Sequence, residues 1–125
     1  MMLLRGWLVV MLMMMAACGR GPEIAGPPPQ SWGKVMVRIE SRPIPPRVGM
    51  NEFLVIGTEA SGKPAWNMMV TLRTGASDDW RQAIQDGESG VYRKALPLGA
   101  GEQTLYVRLQ RGTDETVLEF PFKVD

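Results

Sequence analysis

Few side chains in this sequence are able to do more than solvate or pack. The 125 residues include no histidine and a single cysteine, Cys18. That removes His/Cys zinc sites, His-based triads, haem ligation, CxxC redox chemistry and an intrachain disulfide. Thioether sulfur suits Cu(I), which makes Met36, Met50, Met68 and Met69 the soft-ligand candidates. Met68 and Met69 are adjacent, and adjacent residues on a strand point to opposite faces, so the two share a site only across a bulge. Met68, in phase with Trp66 and Val70, reads as core filling. Asp78, Asp79, Asp86 and Glu88 supply oxygen ligands of the kind Ca²⁺ takes, but not at the spacing of an EF-hand loop. Acids beside turns such as Asp86-Gly87-Glu88-Ser89-Gly90 commonly bond to turn amides instead. Ser31, Ser41, Ser61, Ser77 and Ser89 offer hydroxyls, none of them in GxSxG. No catalytic residue and no cofactor follow from this inventory, and a carboxylate pair has no deep cleft to work in on a domain this small. The expectation is a protein that is not an enzyme.

A different kind of site needs only a surface. Asn67, Met69, Thr71, Arg73, Arg93, Tyr106 and Arg108 fall on the outward phase of the third to sixth predicted strands. Methionine, tyrosine and arginine are enriched in protein interfaces. The same residues also suit a solvated sheet face whose long side chains cover neighbouring apolar atoms. Both readings stand at this stage, with Met69, Arg73, Arg93, Tyr106 and Arg108 as the interface candidates.

The elements that must position these residues are strands. From Lys34 onward apolar residues recur with a period of two, and no stretch offers a long helical face. Val35, Val37 and Ile39 share a face of Lys34–Arg42, which Pro43, Pro45 and Pro46 stop. Asn51–Glu59 carries Phe53 and Val55, and Ser61-Gly62-Lys63-Pro64 is a turn. Ala65–Arg73 places Trp66, Met68, Val70 and Leu72 inward. Trp80–Ile84, Gly90–Leu98, Gln103–Gln110 and Thr116–Val124 complete a set of about seven strands separated by glycine- and proline-rich turns. The fold class is all-β, an immunoglobulin-like two-sheet sandwich over residues 34–125. No cysteine pair is present to straddle the core, so Trp66 packs without one. Pro121 marks the last strand as an edge or as bulged there, because proline cannot donate to a ladder.

Ahead of the domain, Arg5 precedes the uncharged run Gly6–Ala17, 12 residues long, which meets Cys18 after Ala16-Ala17. The run is short of the roughly 20 residues that span a hydrocarbon core, and its pattern is that of a secretion signal. Met15-Ala16-Ala17-Cys18 resembles the lipobox of bacterial lipoproteins, with Met15 where that family usually has leucine. The resemblance implies cleavage after residue 17 and lipidation of Cys18, which anchors the chain to a membrane. Gly19, being other than aspartate, implies sorting to the outer membrane, the domain facing the periplasm. Loss of residues 1–17 removes Arg5 and no acid, leaving 13 basic and 13 acidic side chains. That balance, like the compartment, disfavours nucleic acid as a partner. Residues 18–33, rich in glycine and proline, read as a tether of about 30–50 Å at about 3.1 Å per residue.

Asn51-Glu52-Phe53, Gly62-Lys63-Pro64-Ala65, Gly90-Val91-Tyr92, Leu96-Pro97-Leu98, Gly101 and Phe120-Pro121-Phe122-Lys123-Val124 carry a further resemblance. Residues 51–124 resemble the small YtkA-like and FixH-like periplasmic domains, which share an immunoglobulin-like sandwich. Some of these are linked with copper handling through a methionine- and histidine-rich patch near the third strand. Met68 and Met69 match that patch, and the histidines do not. The expected function is a lipid-anchored, non-catalytic binding module that contacts another envelope protein. The alternatives are Cu(I) handling through methionine and a purely structural lipoprotein.

Overall fold

A computed structural model describes residues 26–125. The signal peptide and the lipidation of Cys18 fall outside the described residues.

The alternating apolar positions become the facing surfaces of two antiparallel sheets. One takes β1 (Gln30–Trp32), β2 (Val35–Arg42), β3 (Gly49–Glu59), β7 (Val91–Leu98) and β6 (Ile84–Gln85), in that order. The other takes β5 (Arg81–Gln82), β4 (Met69–Arg73), β8 (Gly101–Arg111) and β9 (Asp114–Val124). Setting β1 aside, the orders β2-β3-β7-β6 and β5-β4-β8-β9 are those of immunoglobulin strands A-B-E-D and C′-C-F-G. Between them lie Val35, Val37, Ile39, Phe53, Val55, Val70, Leu72, Tyr92, Leu105, Val107, Leu109, Phe120 and Phe122, all buried. Phe53 and Phe122 meet edge to face across the sandwich, 5.7 Å between ring centroids. β9 is a sheet edge, the first of the two placements Pro121 allows.

Three local outcomes differ from the periodicity. Gln30–Trp32, assigned above to the tether, forms β1, pairing Gln30 with Val37 and Trp32 with Val35. Trp32 packs on the core, and the Gln30 amide donates to the Glu119 carbonyl at 2.6 Å, tying one sheet to the edge of the other. Trp80–Ile84 is not one strand. Arg81–Gln82 pairs with β4, and Ile84–Gln85 pairs with β7. The chain crosses between sheets at buried Ala83, whose N–H donates to the Val70 carbonyl at 2.9 Å. Trp66 is 47% exposed rather than inward. β4 begins only at Met69, and Pro64 bridges to Thr58, so Ala65 takes the buried position and shifts the phase by one.

The Ala65 segment sits against a tight backbone approach. Gly57 N–H donates to the Gly90 carbonyl and Ala65 N–H to the Gly57 carbonyl, each at 2.9 Å. A Cβ at Gly90, where φ is +78°, would lie 2.6 Å from that Gly57 oxygen. Tyr92 closes the arrangement from the core side. Its hydroxyl donates to the Ala65 carbonyl at 2.9 Å and accepts from Met68 N–H at 3.2 Å. Burial pushes the Tyr92 hydroxyl above its ordinary value of 10.0, against the opposing pull of the Met68 N–H and of Arg111.

Candidate functional site

The outer face of the four-stranded sheet gathers most of the predicted surface residues. Thr71 stands opposite Arg108, and Arg73 opposite Tyr106, so the four form a block on β4 and β8. Arg108 Nε donates to Thr71 Oγ1 at 3.0 Å and lies 3.8 Å from a Glu115 oxygen on β9. Met69, 50% exposed, continues the row.

The block is completed by a residue that no period predicted as part of it. After β4 the chain turns through residues 74–79, with Asp78 N–H donating to the Gly75 carbonyl at 3.1 Å, and returns Trp80 over the sheet. The Arg73 guanidinium carbon is 4.2 Å from the Trp80 ring centroid, and that of Arg108 is 4.7 Å away. Arg73 also lies 5.4 Å from the Tyr106 ring. Both cations against the one indole ring are attracted by its quadrupole, at about 0.5–1 kcal/mol each in exposed settings. Their mutual repulsion is reduced by Glu115 beside Arg108 and by the Asp78 carbonyl, which accepts from Arg73 at 3.5 Å. Beside Trp80 an open groove of about 600 Å³ is lined by Arg73, Ser77, Asp78, Arg81, Lys94 and Met50, among others.

Arg93 does not belong to this block. It lies on β7, in the other sheet, and pairs with Asp86 at 2.9 Å and Glu52 at 3.7 Å. The physical reason is the crossover at Ala83, which sends the chain to β3's side before β7 is laid down. Asn67 precedes β4 and is exposed.

The methionines stand apart. Met68 is 6% exposed inside the core, Met69 is on the outer face, and Met36 and Met50 lie toward opposite ends of the other sheet. The acids divide as well, Asp78 and Asp79 in the loop after β4, Asp86 and Glu88 in the turn before β7. Among the described residues no group of three His, Cys, Asp or Glu side chains could hold a metal ion. Ser31 and Lys34 have the SxxK spacing, a match not counted among the motifs above. Both are exposed, Ser31 in β1 and Lys34 in the turn that follows it.

What the Trp80 block can do is recognise. Its cations are stacked and strand-borne, so little side-chain freedom is left to lose on association. Arginine forks beside an indole and a phenol suit a partner presenting carboxylates next to an apolar group. No family model, curated protein or solved structure matches the chain.

Proposed function

We propose that this protein is a non-catalytic binding module of the bacterial envelope, lipid-anchored through Cys18 to the periplasmic side of the outer membrane. Its partner is another envelope protein. The observation that carries the binding role is the stack of Arg73 and Arg108 on Trp80, flanked by Tyr106 and Met69. Tryptophan, tyrosine and arginine are the residue types over-represented among energetically dominant interface positions. The groove beside the block is open to solvent, which suits a protein surface better than an enclosed small-molecule site. The Tyr92 hydroxyl, buried and committed to two backbone bonds, has no role to spare for chemistry.

The test is site-specific photocrosslinking in cells, with the photoreactive residue at Met69. A discrete adduct is expected with the otherwise wild-type chain. It is lost with Arg108→Glu or Trp80→Ala, and retained with Arg93→Glu on the opposite sheet. Equal loss with Arg93→Glu, or an adduct indifferent to Trp80→Ala and Arg108→Glu, overturns the assignment of this face.

A further inference from the structure

The described chain begins at the end of the sandwich that carries the β2–β3 loop. Gly26 and Pro27 share a shallow cavity with Pro45, Pro46, Pro121, Phe122 and Lys123. From there the chain runs antiparallel to β2 toward the opposite end, held by the β1 pairing and the Gln30–Glu119 bond. Cys18 precedes Gly26 by eight residues. An extended chain covers at most about 3.3–3.6 Å per residue, so the cysteine stays within about 30 Å of this end.

The loop at this end interleaves exposed aliphatic and basic side chains. Ile44 is 63% exposed and Val48 53% exposed. Arg42 and Arg47 flank them and Lys123 stands nearby, all exposed. None of the three takes part in an ion pair among the described residues. The acids at this end are partly exposed Glu52, opposite Arg42 and paired with Arg93, and exposed Glu102, opposite Lys123, and Asp125. The loop is also stiff. Buried Asn51 accepts from Arg47 N–H at 2.9 Å and donates to the Arg47 and Gly49 carbonyls at 2.8 and 3.0 Å. Ser41 donates to the Pro43 carbonyl at 3.0 Å, and Pro43, Pro45 and Pro46 restrict what remains.

Exposed aliphatic side chains beside unpaired arginines suit a membrane interface, which has an apolar and an anionic layer. Apolar groups settle at the headgroup–acyl boundary, and nearby cations are drawn to anionic headgroups. We infer that the Pro43–Val48 loop rests in the lipid surface that holds acylated Cys18. Ile44 and Val48 enter it, and Arg42, Arg47 and Lys123 contact its anionic headgroups. This rests on the lipid-anchor reading of Cys18.

The experiment uses the full acylated protein reconstituted into vesicles of phosphatidylethanolamine and phosphatidylglycerol, with or without bromine on the acyl chains. Two tryptophan reporters are compared after subtraction of wild-type fluorescence: Ile44→Trp in the loop and Thr113→Trp in the β8–β9 turn at the opposite end. Insertion by about 5–10 Å puts the first within reach of bromine, so its emission is blue-shifted and quenched, while Thr113→Trp is unchanged. Adding Arg42→Glu and Arg47→Glu to Ile44→Trp reduces the quenching. A protein that floats with the vesicles while Ile44→Trp stays unquenched overturns the loop inference alone. A protein that does not float with them overturns the anchor and the loop inference together.

Discussion

Replacing Tyr92 by phenylalanine tests how the core holds the segment that leads into β4. The ring remains and only the hydroxyl oxygen is lost. That oxygen now serves both the Ala65 carbonyl at 2.9 Å and the Met68 N–H at 3.2 Å, and Ala65 is 0% and Met68 6% exposed. With no hydroxyl, one buried acceptor and one buried donor lose their partner, at about 1–1.5 kcal/mol each, or about 2–3 kcal/mol together. For a domain near 100 residues that corresponds to a fall in Tm of about 10–20 °C. Urea unfolding followed by tryptophan fluorescence should show a lower midpoint at unchanged slope. The same variant carries a pH signature. Burial raises the Tyr92 hydroxyl in the folded state, so above its ordinary value of 10.0 the folded protein keeps a proton that the unfolded chain gives up. Folding stability from this group is therefore complete below pH 10 and declines as pH rises beyond it. In Tyr92→Phe that alkaline decline is absent. A stability loss under about 0.5 kcal/mol, below that of a single hydrogen bond, would refute the claim that this hydroxyl satisfies the Ala65–Met68 segment.

Gly90→Ala forces a side chain onto left-handed backbone and against the Gly57 oxygen, and should cost about 2 kcal/mol or more in thermal unfolding. Gly62→Ala, at φ +87° with open space around it, should cost only about 1–2 kcal/mol. Asn51→Ala removes three hydrogen bonds to the Arg47–Gly49 backbone, and hydrogen exchange should show faster amides there with about 2–3 kcal/mol lost overall. Trp80→Ala removes two cation–π contacts from an outer face, and calorimetry should register a loss of only about 1–2 kcal/mol, leaving the variant folded for binding assays.

The strands that bury a full face were legible. Val35/Val37/Ile39, Leu105/Val107/Leu109 and Phe120/Phe122/Val124 alternate in sequence and are buried in the sandwich. Pro121 announced its edge because one missing N–H is a local property. What stayed hidden depends on pairing between distant segments. β1 spans three residues after a proline run, too few for a period to register. The break at Ala83 is invisible locally, because which sheet Arg81 and Ile84 join is decided by pairing with β4 and β7. That same crossing separated Arg93 from Tyr106. Trp80 escaped notice as a site residue because its neighbours Arg73 and Arg108 come together only when β4 pairs with β8 and the 74–79 turn folds back. The signal available in sequence was a tryptophan bracketed by arginines, which has no fixed spacing.

The run from Gly26 to Trp32 has a mechanical consequence. It lies along β2, and the segment leading to Cys18 leaves it at the near end. Tension along the sandwich axis from an anchor there loads the three β1–β2 pairs and the Gln30–Glu119 bond in shear, so that they share the load instead of opening in turn. If they yield, the pull reverses through Gly33 and Lys34 into Val35, and β2 is then opened from β3 one pair at a time. Because Gln30–Trp32 is already extended along β2, its release adds little length before β2 takes the load. β1 thus behaves as a latch loaded in shear, keeping the pull off β2 until it lets go.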